Sequence, residues 1–304
     1  FMLRFMELPK KCLLIITALL IISACNHSNN KTMTQQETGI NEIKKDSTGN
    51  YALVNGLNMY YEIHGQGTPL VLIHGGGSTI QTTFGRVLHE FAKTHKVIAV
   101  EMQAHGHTAD IDRPLSFQQD ADDIAALLKH LNINKASIFG FSNGASTTLQ
   151  FAIRHPEMTD KIVVASTFYK KSGAPAWFWD MMSKADFEGM PQVYKDAFLQ
   201  INSDTNALHR MYERDVARMR SFPDIKGTEM KSIKAPAFII IGDKDVTSPE
   251  HAAEMHRLIA NSRLAIIPGG HGDYIGELMA PQDSVLVAAT IAMINRFLTE
   301  AAPN

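Results

Sequence analysis

Short apolar runs alternate with amphipathic stretches along most of the chain. Six runs of four or five residues are almost wholly apolar, which is typical of strands buried on both faces of a parallel sheet. They lie at residues 70–73, 97–101, 136–139, 162–165, 238–241 and 264–267. Helical patterns occur between or after several of them, at residues 117–131, 145–155, 252–259 and 283–298. This alternation predicts a mainly parallel sheet covered by helices, with its ligand site at the carboxyl ends of the strands.

An antiparallel hairpin is predicted ahead of these runs. Two strand-like stretches, residues 51–54 and 57–63, are separated by Asn55 and Gly56. An Asn-Gly pair is a preferred two-residue hairpin turn because both positions need a positive φ. We therefore expect the folded domain to begin at about residue 51 with two antiparallel strands.

The alternation is interrupted between about residues 167 and 234, where no further strand is predicted. This segment is rich in aromatic residues and methionine, and it contains both tryptophans of the chain. Neighbouring residues of a helix lie about 100° apart, so Trp177, Phe178 and Trp179 cannot all face one core. Part of this group is therefore expected to line a pocket or a partner surface, while most of the other aromatic residues pack between helices.

Composition narrows the class of protein. The chain has 304 residues, of which 45% are hydrophobic, enough for one α/β domain with a substantial core. The formal net charge is −2 and no basic stripe is present, which argues against a nucleic-acid partner. Neither a dinucleotide-binding glycine fingerprint nor a phosphate-binding loop occurs, so we predict no cofactor. The sequence does not indicate an oligomeric state.

The N-terminal residues have the pattern of a bacterial export signal. Basic residues precede an apolar run at 12–22, which is too short to span a bilayer comfortably, and small residues follow it. The Ile-Ser-Ala-Cys sequence that ends at Cys25 resembles a lipobox, in which the cysteine is acylated and becomes the mature N-terminus. We therefore predict a lipoprotein signal peptide over residues 1–24. A plain cleaved signal and an uncleaved anchor are the alternatives.

Residues 25–50 are predicted to be a flexible tether. They are rich in Asn, Ser, Thr, Gln and Lys and contain too few apolar residues to bury much surface. The expected location is the bacterial cell envelope, on its periplasmic or outer surface, with the lipid on Cys25 as the protein's membrane contact.

The first candidate catalytic residue lies in residues 140–144, Gly-Phe-Ser-Asn-Gly, between a strand-like run and a helix-like run. A sharp strand-to-helix turn lifts the hydroxyl of Ser142 clear of its neighbours, and the flanking glycines leave room for the strained backbone. The following helix points its first N–H groups at the same place, where a negative charge is stabilised. We predict that Ser142 is a nucleophile. An ordinary strand–turn–helix junction is the alternative.

Three other apolar runs lead into polar residues. One is followed by His74 and three glycines. A second is followed by Asp243 and Asp245, and a third by His271 within a glycine-rich loop. Serine, then acid, then histidine, each just past a strand, is the order in which one fold family places its catalytic triad.

Five motifs follow one another along the chain. They are H-G-G-G at 74–77, E-M-Q-A-H-G-H-T at 101–108, G-F-S-N-G at 140–144, G-D-K-D at 242–245 and G-H-G at 270–272. In these motifs the chain resembles the α/β-hydrolase family, although the second one matches the family's D-x-x-G-x-G-x-S only in part. The resemblance implies an α/β-hydrolase fold over residues 51–304, with a mainly parallel eight-stranded sheet flanked by helices. It also implies a helical cap inserted after the sixth strand, at about residues 168–234, that roofs the pocket.

The resemblance also implies the roles of three side chains. Ser142 is the expected nucleophile, and His271 is its expected general base. Asp245 is the expected acid that orients His271, because the family's pattern is G-x-x-D counted from Gly242. Asp243 and Asp245 are two residues apart and would lie on the same side of a continued strand, so strand alternation alone does not decide which of them is the acid.

Two backbone N–H groups are expected to form an oxyanion hole. They are those of Asn143, directly after the nucleophile, and Gly76 in the loop that follows His74. Gly75 and Gly77 are the alternatives to Gly76. His74 itself is expected to be a structural hydrogen-bonding residue rather than a catalyst.

An H-x-H pair, His105 and His107, raises the question of a metal site. Such a pair can bind zinc, but no third ligand at a sensible spacing is identifiable. The pair is better explained by the tight turn of the second motif, so we predict no metal.

Three functions are compatible with these residues. The first is a cofactor-free serine hydrolase that cleaves small or medium carboxylic esters through an acyl-enzyme. The second is a lactonase, amidase, C–C bond hydrolase or acyltransferase that uses the same triad. The third is a non-catalytic module that encloses a ligand under the aromatic cap, since a fold does not guarantee an activity. In each case the expected partner is a small molecule.

Overall fold

The computed structural model of the chain describes residues 49–301. The predicted signal peptide, Cys25 and nearly all of the predicted tether lie outside the described residues. In the part that is described, no helix is both long and apolar enough to cross a membrane.

The described residues contain one eight-stranded sheet with the strand order β1-β2-β4-β3-β5-β6-β7-β8. Its strands are β1 (Asn50–Val54), β2 (Leu57–His64), β3 (Thr68–Ile73), β4 (His95–Val100), β5 (Ala136–Phe141), β6 (Thr159–Ala165), β7 (Ala237–Gly242) and β8 (Ser262–Ile267). Strand β2 runs antiparallel to β1 and β4, and the remaining neighbours are parallel. The β1–β2 turn has φ of 47° at Asn55 and 83° at Gly56, as the predicted hairpin requires.

Strand order determines which loops meet at the carboxyl edge of the sheet. Strand β3 pairs with β5, with Ile73 opposite Gly140, so the glycine loop after β3 lies beside the turn after β5. Strand β7 pairs with β8, with Gly242 opposite Ile267, so the loops that carry the acid and the histidine are also neighbours. Strand β4 is parallel to β3, with Val100 opposite Ile73, so the motif at 101–108 begins there as well. All five motifs therefore emerge from strand ends at one edge of the sheet.

Ten α-helices occur in the described residues. They are α1 (Ile80–Phe84), α2 (Leu88–Ala92), α3 (Phe117–His130), α4 (Asn143–Arg154), α5 (Ala176–Lys184), α6 (Gln192–Ile201), α7 (Thr205–Arg220), α8 (Gly227–Ser232), α9 (Pro249–Leu258) and α10 (Ser284–Thr299). Helices α3, α4, α8 and α9 contribute to one hydrophobic cluster, and α1, α2 and α10 contribute to another. Alternate residues of β3 enter different clusters, Val71 the first and Leu72 the second. Burial on both faces explains the apolar runs of β3 to β7. The run in β8 is expected to be buried in the same way, but β8 is an edge strand and is only partly buried.

The predicted fold class, an α/β-hydrolase fold with a mainly parallel eight-stranded sheet, is confirmed. Each of the six predicted apolar runs overlaps one of the strands β3 to β8. Helices α1 and α2, however, are not among the predicted elements. Each has only five residues, but Ile80, Phe84, Val87 and Phe91 recur at helical spacing and are all buried. That spacing is the signal from which this helical stretch could have been predicted.

Helices α5 to α8 lie between β6 and β7, in the segment where a cap is expected. Helix α8 buries Met230 in the same cluster as α3, α4 and α9, so α5 to α7 are the helices that cover the strand ends. The three adjacent aromatic residues of α5 separate as their helical spacing predicts. Trp177 is 59% exposed, Phe178 lines a cavity, and Trp179 packs against Phe168 and donates its Nε1–H to the Lys171 carbonyl at 2.8 Å.

Candidate active site

Ser142 stands on a strained turn between β5 and α4. Its φ of 54° and ψ of −119° lie in a region that non-glycine residues rarely occupy. The turn needs glycine on both sides. A Cβ on Gly140 would lie 2.0 Å from the Gly144 carbonyl oxygen, and a Cβ on Gly144 would lie 2.2 Å from the carbonyl oxygen of Ile73. The tight approach of helix to sheet therefore holds the serine hydroxyl outward at the carboxyl edge.

A continuous hydrogen-bonded chain joins Ser142, His271 and Asp245. The Nε2 atom of His271 lies 3.1 Å from Ser142 Oγ, and its Nδ1 atom lies 2.7 Å from Asp245 Oδ1. The Asp245 side chain is fully buried, whereas that of His271 is 38% exposed. Because Nδ1–H donates to the carboxylate, Nε2 is the nitrogen left to accept the serine proton.

Electrostatic interactions and hydrogen bonds set the ionisation states of Asp245 and His271. Burial raises the pKa of Asp245, but the charge of His271 and the hydrogen bonds from His271 and Ser166 outweigh it, so the pKa is lowered. The pKa of His271 is raised because Asp245 outweighs the opposing effect of burial. Asp245 is therefore ionised at neutral pH and stabilises an imidazolium on His271.

Ser166 supports Asp245 from the side opposite His271. The Ser166 hydroxyl donates to Asp245 Oδ2, and its oxygen lies 2.6 Å from the Tyr274 hydroxyl. The Tyr274 hydroxyl also lies 3.1 Å from the Ile240 carbonyl oxygen, to which it donates. Both carboxylate oxygens of Asp245 thus have donors, which fixes the plane of the carboxylate.

The other candidate acid, Asp243, has a different contact. Its Oδ1 accepts a hydrogen bond from the backbone N–H of Gly269 at 2.7 Å. Asp273 does the same for Gly270 at 2.6 Å, on the other side of His271. Asp243 and Asp273 therefore shape the histidine loop, while Asp245 contacts the imidazole ring.

The glycine loop after β3 leaves one of its N–H groups free. The N–H of Gly75 donates to Thr83 Oγ1 at 3.2 Å, and that of Gly77 donates to Asp215 Oδ2 at 2.5 Å. The N–H groups of Gly76 and Asn143 have no hydrogen-bond partner among residues 49–301, and both residues line the cavity at Ser142. The two groups expected to form the oxyanion hole are thus available to a ligand, and the two alternatives are already occupied.

His74 holds this loop to the neighbouring strand. Its Nδ1–H donates to the Gly75 carbonyl at 2.7 Å, and its Nε2 accepts the N–H of Met102 at 3.1 Å. Burial, with a further contribution from the charge of His105, lowers the pKa of His74 to about 3. His74 is therefore a neutral hydrogen-bonding residue, in the structural role expected for it.

The motif at 101–108 forms a tight turn, with φ of 69° at Ala104 and 53° at Gly106. Glu101 accepts hydrogen bonds from the backbone N–H of His107 at 2.6 Å and from its ring at 2.8 Å. Within residues 49–301, no three histidine, cysteine or acidic side chains are grouped so that they could hold a metal ion.

A cluster of buried charges lies behind the glycine loop. Asp215 on α7 accepts hydrogen bonds from Gly77, from His105 Nε2 at 2.9 Å and from Arg218. Arg218 also donates to Asp120 Oδ2 at 2.7 Å. The two ring nitrogens of His105 both face oxygen acceptors, since Nδ1 lies 2.9 Å from the Gln103 carbonyl oxygen. Both must donate, so His105 carries a positive charge, in line with a pKa that Asp215 raises against the effect of burial.

Two cavities meet at Ser142. The larger one, about 760 Å³, lies between the glycine loop and helices α5 to α7. The smaller one, about 180 Å³, is lined in part by Ser146, Thr167 and Thr247. The residues that line both are Ser142, Asn143, Phe178, Met219 and His271. A substrate bound at Ser142 therefore has room for a group on each side of the reacting atom.

Comparison with known proteins establishes the family. Residues 70–285 match the model of the Alpha/beta hydrolase family, and the match spans every motif described above. The chain belongs to the α/β-hydrolase family. It is accordingly an enzyme of the hydrolase class.

Individual relatives of this α/β-hydrolase include the human serine hydrolase BPHL, which is 30% identical over 235 residues, 71% of this chain and 77% of the relative. Among solved structures, the α/β-hydrolase MGS-M2 from a deep-sea metagenome library of the Medee basin superposes with a TM-score of 0.67 at 23% identity, covering 84% of this chain and 98% of MGS-M2. An enol-lactonase from Burkholderia xenovorans LB400 superposes with a TM-score of 0.64 at 23% identity, covering 82% of this chain and all of the lactonase. The structural likenesses show the shared fold.

Two residues that the α/β-hydrolase motifs do not contain are also built into the site. Ser166 follows β6 with a φ of 56°, and no sequence pattern marks it. The sequence did contain a signal from which the buried position of Asp215 could have been predicted. Leu208, Met211, Asp215 and Arg218 share one face of α7 and are all buried, so two charges lie on the apolar face of an amphipathic helix. Charges in that position must be paired, which points to a buried cluster.

Proposed function

We propose that this α/β-hydrolase is a serine hydrolase that cleaves carboxylic esters of small or medium size through an acyl-enzyme. The proposal depends chiefly on the hydrogen-bonded chain from Ser142 Oγ through His271 to Asp245, with distances of 3.1 and 2.7 Å. A serine hydroxyl becomes a useful nucleophile only when a base within hydrogen-bond reach takes its proton. No cofactor is needed for this reaction.

In the proposed first half-reaction, Ser142 Oγ attacks the ester carbonyl carbon while its proton moves to His271 Nε2. Asp245 stabilises the resulting imidazolium and keeps it in one orientation. The N–H groups of Gly76 and Asn143 are placed to bind the oxyanion, which typically contributes about 2.7–4 kcal/mol per donor. The intermediate then collapses, the alcohol leaves with the proton from His271, and the acyl group stays on Ser142.

In the second half-reaction, water takes the place of the alcohol. His271 accepts a proton from the water as its oxygen attacks the acyl-enzyme carbonyl, and it returns that proton to Ser142 Oγ as the acid departs. Atoms and protons balance, since one ester and one water give one acid and one alcohol.

Replacement of Ser142 tests this proposal. The Ser142→Ala enzyme should lose turnover of p-nitrophenyl esters and covalent labelling by a fluorophosphonate. Ser221→Ala is the matched control, because Ser221 is an exposed serine at the end of α7 and lines neither cavity. Wild-type turnover or labelling in Ser142→Ala would remove this serine from the mechanism.

Other acyl substrates would use the same groups. A lactonase, amidase, C–C bond hydrolase or acyltransferase needs the same nucleophile, base and oxyanion donors, so parallel assays with lactones, amides and thioesters decide among them. A folded preparation that binds ligands but is inert to every activated ester would instead support a non-catalytic binding module.

A further inference from the structure

The charges around the larger cavity bear on which substrates it accepts, given the proposed hydrolase function. The charged or chargeable residues of its lining, apart from two tyrosines, are Lys184, Asp186, Asp215 and His271. Lys184 is at the rim, where its side chain is 72% exposed and its Nζ pairs with Asp180 at 2.8 Å. It therefore does not present an unpaired positive charge to the interior.

Two cations, Arg218 and His105, are buried behind the cavity wall, and both form ion pairs with Asp215. Arg218 donates to Asp215 and to Asp120, and its guanidinium lies 4.7 Å from the centre of the Phe117 ring. His105 donates to Asp215 through Nε2. Neither Arg218 nor His105 lines the cavity, so Asp215 is the member of this ion-paired group that does.

The rest of the wall contributed by the cap is largely apolar. The side chains concerned are Phe178, Met181, Met182, Met190, Val216 and Met219. A carboxylate that entered this space would leave water without gaining an unpaired cation, because Asp215 already balances Arg218 and His105. Burial of an unpaired charge is strongly unfavourable. An uncharged alkyl or aryl group of the same size avoids this penalty.

We propose that the larger cavity selects esters whose bound group is uncharged and apolar, that it rejects substrates with a free carboxylate, and that Asp215 is a specificity-determining residue. Methionine-rich walls adapt to apolar groups of varied shape. The expected substrates are therefore neutral esters with a medium-sized hydrocarbon group, while acidic half-esters of the same length are excluded.

A matched pair of substrates tests the selectivity. p-Nitrophenyl hexanoate and the mono-p-nitrophenyl ester of adipic acid have acyl chains of equal length and differ by a terminal carboxylate. We expect kcat/KM to favour the neutral ester by about a hundredfold or more, as the desolvation of an unpaired charge demands. Equal use of the two esters, or preference for the acidic one, would overturn the proposal.

Variants at two aspartates test the role of Asp215. In Asp215→Asn the two buried cations lose the carboxylate that balances them and can attract a substrate carboxylate, so the preference for the neutral ester should fall by about tenfold or more. Asp186→Asn is the matched control, because this residue lines the same cavity but is exposed to solvent, so its charge is screened. The ratio of two substrates within one preparation is independent of how much enzyme is folded. An unchanged ratio in Asp215→Asn would remove Asp215 as the determinant.

A binding measurement separates this inference from the proposed chemistry. Calorimetry on the Ser142→Ala protein with methyl hexanoate and with monomethyl adipate needs no turnover. Binding of the neutral ester and not of the acidic one supports the selectivity even if wild-type protein cleaves neither. Equal binding of both overturns the selectivity even if the wild-type protein is an active esterase.

Discussion

Replacement of Asp215 by asparagine is predicted to lower the free energy of unfolding by about 3–5 kcal/mol, the usual cost of breaking a buried ion pair from one side. Three donors point at its two carboxylate oxygens: Gly77 N–H and His105 Nε2 at Oδ2, and Arg218 at Oδ1. An amide offers one oxygen and one NH₂ group. Whichever way it is turned, a donor then faces a donor, and Arg218 and His105 lose the charge that balances them.

The loss of unfolding free energy in Asp215→Asn should depend on pH. Burial raises the pKa of Asp215, but His105 and Arg218 outweigh it and lower the pKa well below its ordinary value. The stabilisation from Asp215 is therefore present above about pH 4 and is lost as pH falls through that lowered pKa. The pKa of His105 is raised in the folded protein. The stabilisation from charged His105 is therefore present below about pH 6.5, and it is lost as pH rises through the raised pKa. The difference between wild type and variant should be largest at about pH 5–6.

Urea unfolding at pH 5.5, 7 and 9, followed by circular dichroism, measures this difference. Asp186→Asn is the control and should change the free energy of unfolding by no more than about 0.5 kcal/mol, as is usual for an exposed position. A loss below about 1 kcal/mol in Asp215→Asn, or a loss that is larger at pH 9 than at pH 5.5, would contradict the role of Asp215 in the buried cluster.

Four further predictions concern the site and the N-terminus. Asp245→Asn should lower kcat on p-nitrophenyl esters by about 10³–10⁴-fold, because His271 loses its orienting carboxylate, whereas Asp243→Asn should stay within a few-fold of wild type. Ser166→Ala removes one donor from the Asp245 carboxylate and should lower kcat/KM by about tenfold in the same assay. Because the pKa of His271 is raised, kcat/KM should fall on the acid side with an apparent pKa above 6.5, and a profile still flat at pH 5 would contradict this base. In a bacterial host, Cys25→Ser should abolish incorporation of a palmitate analogue, and unchanged incorporation would exclude this cysteine as the lipid site.

The features that could be predicted from the sequence are those with a local cause. Strand β3 is continuously apolar because both of its faces are buried, so the run itself indicates the strand. The two glycines around Ser142 are present because helix and strand approach within contact distance there. Such constraints act within a few residues, and they leave a readable pattern.

The features that could not be predicted depend on residues that are far apart in the chain. Ser166 and Asp245 are separated by 79 positions, and Gly77 and Asp215 by 138. A serine or an aspartate carries no sign of such a partner until the fold brings the two together. Asp243 and Asp245 show the same limit, because the distant residues that they contact, Gly269 and His271, distinguish their roles.

The most direct test of the proposed chemistry is to locate the acyl group. The wild-type enzyme would be mixed with excess p-nitrophenyl hexanoate, quenched in acid within the first turnover, digested and analysed by peptide mass spectrometry. We expect a hexanoyl group on the peptide that contains Ser142, bound to that serine in the fragment spectrum. Release of p-nitrophenol with no acylated peptide, or with the acyl group on another residue, would contradict it.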